Sequence, residues 1–107
     1  MAGKLASAAL ICTLLLGCAQ KPEAPSNPIG SAFAQCVSDE AKKQGATDKN
    51  ASPAAVDAPG GPCEAQRKAY NADLLRQDPT SSEQQRNRQL DDTRNTAWRL
   101  TMRWLYG

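Results

Sequence analysis

The sequence predicts an all-α fold: a small helical hairpin, then a long C-terminal amphipathic helix, all preceded by a disordered N-terminal tether. Apolar residues recur at helical spacing in three stretches, and capping or helix-breaking residues bound those stretches. No stretch alternates apolar and polar residues as a half-buried strand does. A chain of 107 residues is expected to form at most one small domain.

The first predicted helix covers residues 32–44. Ser31 can cap its start and Gly45 can end it. Its apolar positions fall at helical spacing: Phe33, Cys36, Val37 and Ala41. Residues 45–62 are small, polar and interrupted by proline and glycine, which predicts a long loop without regular structure.

The second predicted helix covers residues 63–77. Pro62 suits the first helical position, and Asp78-Pro79 should end the helix. Cys63, Tyr70 and Leu74 share one face. Two antiparallel helices joined by the loop would form the hairpin.

The third predicted helix covers residues 81–106, with Thr80 and Glu83 as a capping box. Its first half is polar apart from Leu90. Its second half has a broad apolar face, with Arg99, Arg103 and Tyr106 opposite. Leu90 lies on the same face, whose other residues are Ala97, Trp98, Leu100, Thr101, Met102, Trp104 and Leu105.

Three interpretations of this C-terminal face stay open. It can pack on the first two helices, bind a protein partner, or lie on a membrane surface, since arginines opposite tryptophan and leucine fit the interfacial pattern. Tryptophan, tyrosine and arginine are also typical anchors of protein interfaces. The candidate contact residues are Trp98, Leu100, Met102, Trp104 and Leu105.

The N-terminus predicts a secretory signal peptide over residues 1–17. One positive charge, Lys4, precedes an apolar run from Leu5 to Leu16. This run is shorter than the ~20 residues that a membrane-spanning helix needs. A buried core helix is the alternative interpretation.

The stretch Leu15-Leu16-Gly17-Cys18 resembles the lipobox of bacterial lipoproteins. The resemblance implies cleavage before Cys18, a diacylglycerol on its thiol, and acylation of the new amine, for example by palmitate. Two or three lipid chains anchor a protein firmly, whereas one chain binds only marginally. Ala19, where inner-membrane lipoproteins often carry aspartate, implies the outer membrane rather than the inner one, with the domain facing the periplasm. Residues 18–31 contain three prolines and predict the lipidated, flexible tether.

The cysteines fit this location. If Cys12 leaves with the signal peptide and Cys18 carries lipid, Cys36 and Cys63 remain for an oxidising compartment, where such a pair usually forms a disulfide. Free thiols or metal ligands are the alternatives. Two cysteines without a histidine would make an incomplete zinc site, so no metal is expected.

Catalysis is not expected. The chain has no histidine, which removes the commonest general base. It also lacks a nucleophile elbow and a glycine-rich phosphate loop. With Lys4 removed, the net charge of +2 falls to +1, a balance that indicates no particular partner. We expect no catalytic residues, no cofactor beyond the lipid on Cys18, no nucleic acid and no small-molecule substrate.

These features predict a membrane-anchored envelope lipoprotein that acts through protein contacts, as an accessory component of an envelope, secretion or conjugation system. The order of lipobox, Cys36, polar loop and Cys63 with Ala65 and Ala69 resembles small entry-exclusion lipoproteins of conjugative elements. The loop here is longer than theirs. The alternative is a lipid-anchored inhibitor or binder of a periplasmic cell-wall enzyme, with residues 45–62 as its protruding loop.

Overall fold

The computed structural model describes residues 27–107, and every regular element within them is helical. Helix α1 spans Pro28–Gly45, a short 3₁₀ helix spans Pro53–Ala55, α2 spans Glu64–Gln77 and α3 spans Glu83–Tyr106. The all-α prediction and the long C-terminal helix are confirmed. The predicted signal peptide, lipidation site and most of the tether lie outside the described residues and stay predictions.

Helix α1 begins at Pro28, four residues before the predicted start at Ala32. The side-chain carbonyl of Asn27 accepts a hydrogen bond from the Gly30 N–H at 2.6 Å, and proline is favoured at the first helical position. Asn27, rather than Ser31, is therefore the N-cap. Residues 28–31, predicted as part of the flexible tether, form the first turn of the helix.

Helix α3 is capped by a different pair from the one predicted. The Ser82 hydroxyl accepts from the Gln85 N–H at 3.0 Å, and the Gln85 side chain accepts from the Ser82 N–H at 2.8 Å. Thr80 instead donates to Asp78 in the preceding turn, through its hydroxyl at 2.7 Å and its N–H at 3.1 Å. The capping box moves two residues along because Thr80 is already held by that turn.

The predicted disulfide is confirmed. Cys36, in the middle of α1, is bonded to Cys63, the residue before α2, with an S–S distance of 2.08 Å and a Cα–Cα distance of 5.9 Å. Helix α2 begins one residue later than predicted, at Glu64, and Pro62 lies in the turn before it. The bond fixes α1 against the start of α2.

One core lies among the three helices. The rings of Phe33 and Tyr70 pack at a tilt with centroids 6.1 Å apart, which joins α1 to α2. Residues from all three helices and the loop complete it. The buried apolar set is Phe33, Val37, Ala41, Val56, Cys63, Tyr70, Leu74, Leu90, Ala97 and Trp98.

The segment between α1 and α2 is a loop, as predicted, apart from the 3₁₀ helix Pro53–Ala55, and its middle packs against this core. Val56 is fully buried and Asp57 is 4% exposed. The Cys63 N–H donates to the Val56 carbonyl at 2.8 Å. Burial of these two residues fixes the middle of the loop.

Helix α2 runs antiparallel along the first half of α3, because its Asn71 contacts Arg86 while its earlier residue Arg67 contacts Asp91. The last turns of α3 instead approach the end of α1. There a side chain at Gly45 would place its Cβ 2.5 Å from the Met102 sulfur, so glycine permits the close approach. In the described part of the chain, no helix is long and apolar enough to span a membrane.

Candidate partner-contact surface

The apolar face at the end of α3 is divided between the core and the solvent. Trp98 is 6% exposed and Thr101 is 7% exposed, so both belong to the core. Met102 and Leu105 are partly covered and lie against the end of α1. These residues are at helical spacing from Trp98, so they point toward the same side of the helix.

Leu100 and Trp104 lie on the flank that the other helices leave open. They are one helical turn apart, and their exposed fractions are 41% and 74%. Sequence periodicity places them on the same face as Trp98, but that face is wider than the strip that α1 covers. Of the five predicted contact residues, these two are the exposed ones, and Trp98 is enclosed by the core.

Positive charge surrounds the exposed tryptophan. The Lys42 ammonium lies 5.9 Å from the centroid of the Trp104 ring, within range of a cation–π contact. Arg103 is exposed one turn from Leu100. Neither Lys42 nor Arg103 is within ion-pair distance of a carboxylate among residues 27–107. We call Lys42, Leu100, Arg103 and Trp104 the Trp104 surface.

Tyr106 contributes to the fold as well as to the exposed end. Its hydroxyl donates a hydrogen bond to the carbonyl of Gly45, and Gly45 is the last residue of α1. The ring remains 52% exposed. The sequence predicts Tyr106 on the side opposite the apolar face, but its hydroxyl reaches α1 and joins the two helix ends.

A partly buried group of ion pairs was not predicted from the sequence. The side chain of Asp57 is 2% exposed and accepts hydrogen bonds from Arg67 at 2.6 Å and from Arg94 at 3.0 Å. Asp91 accepts from Arg67 at 3.0 Å and lies 3.3 Å from Arg94. Because these residues come from the loop, α2 and α3, the group joins three parts of the fold. We call Asp57, Arg67, Asp91 and Arg94 the ion-pair cluster.

The electrostatics of the ion-pair cluster indicate a structural role. Burial by itself would lower the pKa of Arg67, but the hydrogen bonds with Asp57 and Asp91 outweigh burial and raise that pKa. Both oxygens of Asp57 are engaged by arginines. The two aspartates balance the charge of the two arginines.

The cluster could not be found from spacing, because Asp57 is 37 residues from Arg94 and Arg67 is 24 residues from Asp91. Within the described residues, no three histidine, cysteine or acidic side chains are grouped to hold a metal ion. No family model, curated protein or solved structure matches this chain. The Trp104 surface is the candidate site that the geometry offers.

Proposed function

We propose that this protein is a lipid-anchored bacterial envelope lipoprotein that works through protein–protein contacts. Its role would be that of an accessory component in an envelope, secretion or conjugation system, such as one that performs entry exclusion. The sequence Leu15–Cys18 supports the lipid anchor at Cys18. The Cys36–Cys63 disulfide supports an oxidising compartment such as the periplasm.

The observation that carries the proposal of protein contacts is the exposure of Trp104, at 74%. Tryptophan is enriched among the residues that contribute most to binding at protein interfaces, and arginine is enriched with it. Trp104 has Arg103 beside it in the sequence and Leu100 one turn away. An exposed tryptophan in a folded helix is thus available to a partner without any unfolding.

The helix supports this proposal better than the loop supports inhibition of a cell-wall enzyme. An inhibitory loop would need to protrude from residues 45–62, yet Val56 and Asp57 in its middle are buried. The ion pairs of Asp57 with Arg67 and Arg94 hold that part of the loop against the helices. The Trp104 surface has no comparable internal use.

The anchor is tested by Cys18→Ser, with Cys12→Ser as the matched control. We expect the Cys12→Ser protein to be processed and recovered in the outer-membrane fraction. Cys18→Ser should abolish both labelling with radioactive palmitate and recovery in the membrane fraction. Recovery of processed Cys18→Ser protein in the membrane fraction would contradict the lipid anchor.

The contacts are tested by affinity capture from detergent-solubilised membranes with the full chain. Trp104→Ala should lose the specifically captured protein. Leu75→Ala, at a leucine of α2 whose exposed fraction of 42% equals that of Leu100 within one per cent, should retain it. Capture that is equal for both variants, or no specific capture by the unaltered chain, would contradict a protein contact through this surface.

A further inference from the structure

We infer that the Trp104 surface binds an acidic surface of another protein, which receives the Trp104 indole in an apolar recess and faces Lys42 and Arg103 with carboxylates. This inference rests on the proposed function, because it assumes that the surface contacts a protein. It adds the chemistry of the partner. The occupant that we infer is a protein of opposite charge, and not a lipid surface or a second copy of this chain.

The charge distribution carries the inference. From Thr93 to Gly107 the chain has Arg94, Arg99 and Arg103 and no acidic residue. Arg94 is neutralised in the ion-pair cluster, but Arg99 and Arg103 form no ion pair with any described residue. Lys42 adds a third cation over the Trp104 ring. An arginine in this setting can take a carboxylate in a bidentate contact.

The cations Arg103 and Lys42 lie on opposite sides of the exposed pair Leu100 and Trp104. Arg103 follows Leu100 by three residues in α3, and Lys42 reaches the Trp104 ring from α1. A partner that covers Trp104 must therefore face both charges. Complementary carboxylates at these positions would favour binding, whereas lysines or arginines there would oppose it.

A membrane fits the same end of the molecule less well. A helix that lies in the lipid interface buries a broad apolar face. In α3 the centre of that face is used by the fold, because Trp98 and Thr101 are buried. Only Leu100 and Trp104 remain as exposed large side chains on the flank. Two side chains suit a small recess in a protein better than an acyl layer.

A second copy of the chain is disfavoured by the same cations. In a symmetric contact the same patch lies on both partners. Two Trp104 surfaces would then oppose Arg103 to Arg103 or to Lys42, with no carboxylate on the surface to separate them. Like charges that face each other across an interface are destabilising.

The test is photo-crosslinking in cells that produce the full chain with benzoylphenylalanine in place of Leu100. This position neighbours Trp104 and is 41% exposed, so the indole and both cations are retained. We expect an adduct with another protein, and mass spectrometry should place the crosslink beside aspartate or glutamate residues. Arg103→Glu should lower the adduct yield about tenfold, the change that ~1.4 kcal/mol of lost binding produces.

The matched control is Arg88→Glu, which changes an exposed arginine of the same helix that forms no ion pair with any described residue. It is roughly 22 Å from Arg103 along the helix, nearly three times the screening length of about 8 Å at physiological salt. Its adduct yield should not change. Substitution of the partner's crosslinked aspartate or glutamate by arginine reverses its charge and should restore the adduct with the Arg103→Glu variant. Equal thermal unfolding of both variants would show that folding is not the cause.

The outcomes separate this inference from the proposed function. A protein adduct that persists in Arg103→Glu, or a crosslinked peptide without acidic residues, overturns the acidic partner and leaves the proposal of protein contacts intact. Adducts only with lipid or with a second copy of the chain, or no adduct at all, overturn both.

Discussion

Trp98 and Trp104 lie in the same helix, six residues apart, and the fold treats them differently. Trp98 is 6% exposed and completes the core, whereas Trp104 is 74% exposed. Their neighbouring arginines differ in the same way, because Arg94 is paired with Asp57 and Arg103 has no acidic partner among the described residues. The same composition, tryptophan with arginine, therefore stabilises the fold at one point of α3 and is exposed to solvent at another.

The difference follows from which elements reach each part of α3. The ordered loop contributes Val56 to the core and Asp57 to the ion-pair cluster, where it reaches Arg94. At the last turns of α3, the end of α1 lies against the side that carries Met102 and Leu105, and it reaches the Trp104 ring with the Lys42 side chain alone. The Trp104 flank is left open.

Substitution of each tryptophan by alanine should give the largest difference in stability between the two parts of α3. Trp98→Ala removes a buried ring and should lower the free energy of unfolding by about 4 kcal/mol. Trp104→Ala loses mainly the cation–π contact with Lys42, and should cost about 0.5 kcal/mol. Urea denaturation of both variants measures the difference, and equal losses would show that the exposure difference does not hold in solution.

Removal of the disulfide should have the next largest effect. The bond joins residues 27 positions apart, and a loop of this size corresponds to about 3.5 kcal/mol in the chain-entropy model. The Cys36→Ser, Cys63→Ser double variant should lose this amount in urea denaturation. A reducing agent should destabilise the unaltered chain but not the double variant. An equal effect of reductant on both would show that another reaction is responsible.

Disruption of the ion-pair cluster should follow. Asp57→Asn leaves Arg67 and Arg94 without their buried carboxylate and should lower the free energy of unfolding by about 2 to 3 kcal/mol. This loss is at the lower end of the range for broken buried ion pairs because the Arg67 side chain is 20% exposed. Asp92→Asn is the matched control, since Asp92 is exposed and forms no ion pair with a described residue. An equal loss of unfolding free energy in both variants would show that the ion-pair cluster does not stabilise the fold.

The smallest effect is expected at Glu64. The Gly60 N–H and then Lys68 hold the pKa of Glu64 below its ordinary value of 4.5. A lowered carboxyl pKa stabilises the folded state above that ordinary value, and the contribution disappears as pH falls through the lowered one. Glu64→Gln should therefore lower the melting temperature slightly at pH 7 and leave it unchanged in acid. A difference that is constant from pH 7 to pH 3 would contradict this.

Much of the fold could be predicted because it depends on local patterns. The apolar spacing of Phe33, Val37 and Ala41 and of Cys63, Tyr70 and Leu74 corresponds to buried faces in the structure. The start of α1 was missed because the prolines before Ser31 suggest an extended chain, although Asn27-Pro28 is itself a good helix start.

The division of the α3 face into buried and exposed residues could not be predicted from the sequence, for a physical reason. Periodicity shows which α3 residues share a face, but it cannot show how much of that face α1 covers, so Trp98 and Trp104 looked equivalent. The ion-pair cluster depends on Asp57, whose burial results from packing of a loop that composition describes as polar. Contacts between distant residues have no local pattern that reveals them.

Acrylamide quenching of tryptophan fluorescence tests most directly the claim that α3 buries one indole and leaves the other free. In the full chain with Trp98→Phe, only Trp104 emits, and in Trp104→Phe only Trp98 emits. We predict red-shifted, strongly quenched emission from Trp104 and blue-shifted, weakly quenched emission from Trp98. Equal quenching of the two, or stronger protection of Trp104 in the purified protein, would contradict the account.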